Sequence, residues 1–297
     1  MSDSPIGFVG LGAMGRPMAV NLAKSGQSMV VRDVNPTAND ILAQRGAEVA
    51  ESVVEVANKS ETVLACMPSV AIAELVANEA SGGSAIKHFI NLGTTGSKFS
   101  KTLADMFAAN GIAYLDAPIS GGPPGAEAAT LSIMCSGDKG AFETAKPSLD
   151  VMCAKLVYIS DQPGAAQTMK LVNNIMSFCN LVAASEAMSL GAKAGLDPEV
   201  MVEVINASSG RNSASQDKIP KAVLPRTFDY GGANYIIEKD LELWRQEAEA
   251  YEVPGYMGNL VRTLFRQMIA EEGKDADFTR IFMLMERMAG VEMPKTR

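Results

Sequence analysis

The stretch IGFVGLGAMGRPMAVNLAKSG, residues 6–26, decides the fold. It begins with an apolar run at residues 6–9 and continues through glycines at positions 10, 12 and 15. Apolar residues then recur at helical spacing up to residue 25. A buried strand, a glycine-rich turn and a helix in this order are the start of a βαβ unit that binds a dinucleotide.

Each glycine of this turn has a separate role in such a unit. Gly10 permits the tight turn, Gly12 lets the backbone approach a pyrophosphate, and Gly15 allows close packing of helix on strand. The N–H groups and the positive dipole of the helix N-terminus attract the phosphates. The predicted cofactor loop is therefore Gly10, Leu11, Gly12, Ala13, Met14 and Gly15. A glycine-rich turn without a ligand is the alternative.

An acidic residue follows at the position where a ribose would need it. Asp33 ends the second predicted strand, 18 residues after Gly15, and can accept hydrogen bonds from the adenosine ribose. Its charge also repels a 2′-phosphate, which favours NAD over NADP. The neighbouring Arg32 weakens that preference, although adjacent strand residues point to opposite faces. We expect NAD as cofactor, with NADP possible.

The first half of the chain alternates strand and helix patterns. Helical spacing occupies residues 13–25 and 98–110. Strand-like runs occupy residues 5–10, 28–33, 62–67, 85–91 and 112–116, and residues 130–136 and 156–160 can add strands. This alternation predicts an α/β fold, with a Rossmann-type parallel sheet in a first domain over residues 1–162.

After residue 164 the alternation of strand and helix patterns gives way to helical patterns alone. Residues 165–194 contain no proline and predict one long helix that ends near Gly195. Further helical patterns cover residues 198–207, 236–251, 255–272 and 277–289. We therefore expect an all-helical second domain over residues 163–297, joined to the first by the long helix.

Composition and charge narrow the class of protein and its partners. The 297 residues include 26 Lys and Arg against 34 Asp and Glu, a net charge of −8, which argues against nucleic-acid binding. No uncharged run reaches the roughly 20 apolar residues of a membrane span, and no cation precedes Arg16 as a signal peptide requires. Four dispersed cysteines and one histidine predict no metal site. A cytoplasmic protein with a small-molecule partner is expected.

Four stretches together resemble the β-hydroxyacid dehydrogenases, a family that includes 3-hydroxyisobutyrate dehydrogenase. Residues 10–26 resemble the family's N-terminal signature, and residues 116–122, continuing to 131, resemble its substrate loop. Residues 170–174, Lys-Leu-Val-Asn-Asn, resemble its catalytic helix, and residues 239–241 resemble a late cofactor and substrate contact. The resemblance covers nearly the whole chain and implies hydride transfer between NAD(P) and a short β-hydroxy acid.

A dehydrogenase needs a positioned acid–base group beside the nicotinamide. His88 lies toward the N-terminal end of a predicted strand, so Lys170 is the better candidate. Asn173 and Asn174 share the helix face of Lys170 at positions i+3 and i+4. Burial and a nearby positive charge lower the pKa of an ammonium group, which lets a lysine act as a base near neutral pH. An outward, solvated face carrying one lysine and two asparagines is the alternative.

The resemblance also assigns substrate and cofactor contacts. Ser120, Gly121 and Gly122 offer a hydroxyl and two backbone N–H groups for a substrate carboxylate, in a position just beyond the predicted sheet. Arg211 is either a clamp for a second carboxylate or a surface cation. The implied substrate residues are Ser120, Gly121, Gly122, Asn173, Asn174 and Arg211, and the further cofactor contacts are Met67, Pro68, Thr94 and Lys239.

The predicted site lies between the two domains, with Lys170 as general acid and base and Asn174 beside it. The family resemblance further implies a homodimer or homotetramer. Reduction of a semialdehyde or an imine is the enzymatic alternative, since imine reductases share the domain plan but generally lack the lysine. A non-catalytic dinucleotide-binding partner or sensor is the alternative outside enzymes.

Overall fold

The computed structural model describes residues 4–296. The chain forms two compact units, Met1–Lys170 and Leu171–Arg297. The predicted division after residue 162 stays a prediction.

The first unit is built on nine strands. They are β1 (Ile6–Val9), β2 (Met29–Arg32), β3 (Glu48–Val49), β4 (Thr62–Ala65), β5 (His88–Asn91), β6 (Ala113–Asp116), β7 (Ile119–Ser120), β8 (Leu131–Gly137) and β9 (Cys153–Ser160). The order across the sheet is β3-β2-β1-β4-β5-β6-β8-β7, and β9 pairs with β8. The first six strands in this order are parallel, which is the doubly wound arrangement that binds dinucleotides.

Seven helices connect these strands. They are α1 (Gly15–Lys24), α2 (Pro36–Ala43), α3 (Val53–Lys59), α4 (Val70–Ser81), α5 (Ser97–Ala109), α6 (Gly122–Glu127) and α7 (Lys139–Asp150). Several begin where a polar side chain caps the first turn: Asn35 accepts from the Thr37 N–H, Ser52 from that of Glu55, and Asp138 from that of Ala141. The residues predicted as strands and helices in this half form them, with ends shifted by up to three residues.

Side chains of the central strands alternate between the two faces of the sheet. Phe8, Leu64 and Ile90 belong to one buried cluster, and Val63 and Phe89 belong to the other. The register pairs Phe8 with Leu64 and Leu64 with Ile90. Both faces of the sheet are therefore dry, as the period of two along a strand requires.

The helix α8 (Ala165–Lys193) leads from the first unit into the second, whose other regular elements are all helical. They are α9 (Pro198–Ala207), a π-helix (Ala214–Val223), α10 (Asn234–Ala250), α11 (Tyr256–Glu272), a 3-10 helix (Phe278–Arg280) and α12 (Ile281–Ala289). By length and hydropathy α8 would also pass for a membrane span, but its Leu181 and Met188 are buried in the core of the second unit. The predicted α/β plus all-α fold is confirmed.

Several elements were not predicted individually, among them β3, β7 and the π-helix. The strands β3 and β7 have two residues each, too few for an alternating pattern to be recognised. The π-helix contains Pro220 and follows a stretch rich in serine and glycine. Its start is fixed by the side chain of Asn212, which accepts from the N–H groups of Ala214 and Ser215.

Candidate functional site

Four parallel strands of the first unit end at one edge of the sheet. Hydrogen bonds extend the ladder one residue past the strands: the Gly10 N–H donates to Arg32, that of Cys66 to Val9, and that of Leu92 to Ala65. The residues that follow, including the predicted cofactor contacts Met67, Pro68 and Thr94, therefore lie along the same edge. His88 begins β5 and so lies at the opposite edge, where burial lowers its pKa.

The three glycines of the loop differ in what surrounds them. Gly10 has a φ of +90°, and a Cβ there would lie 2.2 Å from the Met67 Cε atom. A Cβ on Gly15 would lie 1.8 Å from the Gly10 carbonyl oxygen. A Cβ on Gly12 would meet nothing within 4 Å, and Gly12 and Ala13 are exposed while Leu11 is buried. Two of the glycines thus serve the fold, and Gly12 leaves open space on the outside of the loop.

The carboxylate of Asp33 faces this loop. Its Oδ2 atom accepts from the Leu11 N–H at 2.6 Å, and its Oδ1 atom accepts from the Asn35 N–H at 2.7 Å. The Asn39 side chain also bonds the backbone of Asp33 at both its N–H and its carbonyl. The acid is therefore held at the end of β2, beside the glycine-rich turn, with Val34 fully exposed next to it.

The Arg32 side chain lies against the backbone of the residue that follows it. Its guanidinium donates to the carbonyl oxygen of Asp33. The guanidinium therefore lies near the end of β2, and the expectation that the Arg32 side chain starts out on the face opposite Asp33 stays a prediction. The long arginine side chain can curl back along the backbone, which the direction of its Cα–Cβ bond does not reveal.

The loop after β5 contains two threonines that differ in burial. Thr95 is 2% exposed, its Oγ1 accepts from the Asn91 side chain at 3.0 Å, and its N–H donates to the Gln167 Oε1 atom at 2.9 Å. Thr94 is half-buried. Of these two threonines, Thr94 is the more exposed.

Behind this loop lies a fully buried polar network around Asp116. The carboxylate accepts from the Tyr114 hydroxyl at 2.9 Å, the Gln167 amide at 2.9 Å, the Gly164 N–H at 2.7 Å and the Ser100 hydroxyl. Burial raises the pKa of Asp116, against these four hydrogen bonds that favour its ionised form. Burial and the nearby Asp116 charge raise the pKa of Tyr114 as well.

Lys170 is 7% exposed and lies in the first two turns of α8. The outward, solvated position that the sequence left open for it is therefore wrong. Gln167, three residues earlier on the same helix face, is completely buried. The lysine thus follows directly after the turn that the polar network holds on the first unit.

In the second unit, two helices form a chain of polar contacts. The Asn174 amide donates to the Asp240 Oδ2 atom at 2.7 Å, and the Lys239 Nζ atom lies 2.6 Å from Oδ1 of the same carboxylate. The Asn173 amide donates to the Asn174 Oδ1 atom at 3.2 Å. Asn174 and Asp240 are buried, whereas Arg211 is exposed in the loop after α9.

The segment Ser120 to Gly122 runs from the last residue of β7 to the first residue of α6 in the first unit. Gly121 and Gly122 have φ values of +134° and +64°, a conformation that favours glycine at both positions. The following helix α6 packs on α1, because the Asn21 amide donates to the Ala126 carbonyl at 2.9 Å. The predicted substrate loop therefore lies close to the helix that follows the cofactor loop.

Gln167 had no predicted role, and Asp116 was predicted only as the first residue of the substrate loop. Gln167 links the loop after β5 to α8, and Asp116 joins both to β6. The available signals were the spacing of Gln167 from Lys170, three residues on a helix face, and the position of Asp116 at a strand end. Neither signal identifies a hydrogen-bond partner 51 or 72 residues away.

Comparison with known proteins places these features in a family. A family model described as the NAD binding domain of 6-phosphogluconate dehydrogenase matches residues 5–160. A second, described as NAD-binding of NADP-dependent 3-hydroxyisobutyrate dehydrogenase, matches residues 164–285. The chain is 35% identical over 292 residues to 2-(hydroxymethyl)glutarate dehydrogenase of Eubacterium barkeri, covering 97% of each protein.

Two further proteins extend this likeness. Mitochondrial 3-hydroxyisobutyrate dehydrogenase of Drosophila melanogaster is 35% identical over 290 residues, which is 95% of this chain and 89% of that protein. The structure of Mycobacterium tuberculosis 3-hydroxyisobutyrate dehydrogenase with L-serine matches with a TM-score of 0.88 and 27% identity, covering 95% of this chain and 99% of the other.

Proposed function

The chain belongs to the β-hydroxyacid dehydrogenase family, and we propose that it oxidises a short β-hydroxy acid, with Lys170 exchanging the hydroxyl proton. The activity is that of an NAD(P)-dependent dehydrogenase acting on a CH–OH group. The finer assignments of substrate, preferred cofactor and residue roles are inferred from the contacts described above.

The buried amine of Lys170 carries the proposal. It is 7% exposed on a helix whose preceding turn is bonded to the loop that bears Thr94. Lysine is a base whose pKa burial can bring toward neutral pH. No histidine lies at this edge of the sheet within residues 4–296, since the single histidine begins β5.

The loop after β1 fits a dinucleotide. Gly12 leaves room outside the backbone, Gly10 and Gly15 hold the turn, and Asp33 lies beside Leu11. When bound there, NAD(P) accepts a hydride from the carbon that bears the hydroxyl group. Gly12, Ala13 and Met14 would contact the phosphates, and Asp33 the adenosine ribose. Leu11 would act through its N–H bond to Asp33. Met67, Pro68, Thr94 and Lys239 would contact other parts of the cofactor.

The chain's own residues handle the acid and its proton. Ser120, Gly121 and Gly122 would hold the substrate carboxylate through a hydroxyl and backbone N–H groups. In oxidation the hydroxyl proton moves to the Lys170 Nζ atom as the carbonyl forms, and in reduction the same ammonium returns it. Asn174, held by Asp240, would orient the substrate together with Asn173.

We expect NAD to be preferred over NADP. The Asp33 carboxylate is directed toward the glycine-rich loop, where it would repel a 2′-phosphate. The nearby Arg32 guanidinium offsets part of that repulsion. Arg211 is exposed and would bind a second carboxylate if the substrate is a diacid, a role that the L-serine bound to the mycobacterial relative does not require.

A homodimer or homotetramer and a cytoplasmic location complete the proposal. Exposed apolar side chains in the second unit favour self-association: Leu196, Val200 and Val204 at or along α9, and Tyr256, Met257 and Leu260 along α11. Light scattering coupled to gel filtration tests the oligomer, and cell fractionation tests the location.

The deciding experiment combines substrates, cofactors and one variant. NAD and NADP reduction is measured with 3-hydroxyisobutyrate, glycerate, serine, 3-hydroxypropionate and 2-(hydroxymethyl)glutarate. We expect activity with at least one acid and a loss of at least roughly 100-fold in kcat for Lys170→Ala, the usual size of a general acid–base contribution. Lys193→Ala, at the exposed end of the same helix, is the matched control and keeps wild-type kcat.

Other outcomes separate the alternatives. Binding of NAD without turnover of any acid or its aldehyde supports a dinucleotide-binding partner or sensor. Reduction of imines, without oxidation of hydroxy acids, supports an imine reductase. Wild-type kcat in Lys170→Ala removes the lysine from its proposed role.

A further inference from the structure

The amide of Gln167 uses all of its hydrogen-bonding capacity. Its Oε1 atom accepts from the N–H groups of Thr95 at 2.9 Å and Gly96 at 3.3 Å. Its Nε2 atom donates to the Gly93 carbonyl at 3.0 Å and to the Asp116 Oδ1 atom at 2.9 Å. A glutamine offers two donors and one acceptor oxygen with two lone pairs, so every position is filled and the orientation of the amide is fixed.

These contacts connect two segments whose relative position the proposed reaction requires to be fixed. Three of the four partners belong to the loop between β5 and α5, which contains Thr94. Gln167 itself lies three residues before Lys170, which places the two on the same helix face about 4.5 Å apart along the helix axis. One fully buried side chain thus joins the loop after β5 to the turn that precedes the proposed proton-exchanging lysine.

The start of α8 has separate attachments to the sheet. The Gly164 N–H donates to Asp116 at 2.7 Å, and the Ala166 N–H donates to the Ser136 hydroxyl at 2.8 Å. Both bonds satisfy N–H groups at or just before the helix start, which have no partner within the helix. The bond to Ser136 therefore anchors the start of the helix, whereas the bonds of Gln167 join the helix to the loop after β5.

We propose that Gln167 is a positioning residue that fixes the Lys170 amine relative to the Thr94 loop. This inference rests on the proposed role of Lys170. Gln167 makes no contact that would transfer a proton, since its four hydrogen bonds all go to the protein. Loss of its amide would leave the loop and the helix free to shift against each other, and a shift of about 1 Å at a reacting group costs roughly 100-fold in rate.

The test compares Gln167→Met with Ser136→Ala. Methionine keeps the length and volume of glutamine but removes all four hydrogen bonds, whereas Ser136→Ala removes one helix anchor and leaves the loop contacts intact. We expect Gln167→Met to lower kcat at least roughly tenfold, with changes under about threefold in the KM of the hydroxy acid and the Kd of NAD. Ser136→Ala, corrected for folded fraction, keeps kcat within about twofold.

A kinetic isotope effect provides a readout that a purely structural role would not move. If the lysine is misplaced, the chemical step becomes slower than product release, so the deuterium isotope effect on kcat for the acid labelled at its CH–OH carbon rises in Gln167→Met. Gln167→Glu, which can still accept from Thr95 and Gly96 but cannot donate to Gly93 when ionised, should not restore the wild-type rate.

The possible results are all decisive. Wild-type kcat and isotope effect in folded Gln167→Met overturn the inference, as do equal losses of kcat in Gln167→Met and Ser136→Ala. Lys170→Ala is measured in parallel: if it retains wild-type kcat, the proposed function fails. If only Lys170→Ala is slow, the proposed function stands and the role of Gln167 is refuted.

Discussion

Replacing Gly12 by alanine separates the binding of a dinucleotide from the stability of the fold. A Cβ at this position meets no atom within 4 Å, and the backbone of Gly12 does not have the positive φ that glycine alone tolerates well. The substitution therefore introduces no clash in the free protein. Loss of backbone freedom in the unfolded chain should even stabilise the fold by about 0.4–1 kcal/mol.

The same methyl group would stand where a pyrophosphate must approach the backbone. A hydrogen bond from a backbone N–H to a charged phosphate contributes about 1.5–3 kcal/mol. Losing one such bond raises the Kd by roughly 10- to 150-fold, since 1.4 kcal/mol corresponds to a factor of ten. We predict an increase of this size for NAD in Gly12→Ala, with a midpoint of thermal unfolding within a few degrees of wild type.

Two further alanine variants serve as controls, one expected to lower stability and one expected to change neither stability nor binding. In Gly15→Ala the new Cβ would lie 1.8 Å from the Gly10 carbonyl oxygen, a backbone atom, so both stability and binding fall, with a stability loss of at least about 1–3 kcal/mol. In Gly82→Ala the nearest atom is at 3.5 Å, and both properties stay close to wild type.

Isothermal titration with NAD and thermal unfolding of all four proteins test the reasoning. A Kd for Gly12→Ala within threefold of wild type would refute the assignment of the loop as a phosphate cradle. A stability loss above about 2 kcal/mol in Gly12→Ala would refute the open space that the structure shows around this residue.

Three other substitutions probe the acid, the buried network and the second unit. Asp33→Ala should raise the Kd of NAD by roughly 10- to 100-fold and lower the ratio of NADP to NAD Kd at least tenfold in fluorescence titrations; an unchanged ratio contradicts the ribose assignment. Asp116→Asn places the NH2 group of an amide against at least one buried donor, such as the Gly164 N–H. It should lower the free energy of unfolding in urea by about 2–4 kcal/mol. A loss under about 1 kcal/mol would mean that the network is dispensable. Glu242, a third exposed between Arg245 and Arg262, has a pKa lowered from 4.5 to about 2 chiefly by its hydrogen bond to Arg245. A carboxyl whose pKa is lower in the folded than in the unfolded protein stabilises the fold at pH values above its unfolded pKa, and this stabilisation is lost as the pH falls through its folded pKa. Glu242→Gln should therefore cost under about 1 kcal/mol of stability at pH 7, and this cost should disappear between pH 4.5 and 2. A cost that persists at pH 2 contradicts the ion pairs.

The sequence was sufficient for the elements that carry a long or strong pattern. Strands such as β1, β4 and β5 are buried over at least three of their four residues and have apolar centres, so their positions were predicted to within three residues. The 29 residues of α8 and the proline and aspartate that begin α9 were equally clear. Local patterns of this kind are set by the residues of each element alone.

The π-helix and the contacts of Arg32 and Gln167 could not be predicted, because local sequence patterns do not show which distant residues meet in the fold. The π-helix includes Pro220, which sequence rules treat as a break. Arg32 curls back to the carbonyl of Asp33, and Gln167 bonds residues more than 70 positions earlier in the chain. Such contacts arise only when the sheet brings the strand ends and the start of α8 together, so the role of Gln167 was not visible in the sequence.

The central claim is tested most directly by observing a single turnover in Lys170→Ala. With NAD and the best hydroxy acid in stopped flow, NADH formation in the first turnover should slow at least roughly 100-fold, while the Kd of NAD stays within threefold of wild type. Added methylamine, a small base that fits the space of the missing side chain, should restore part of the rate. First-turnover NADH formation at the wild-type rate in Lys170→Ala would contradict the claim.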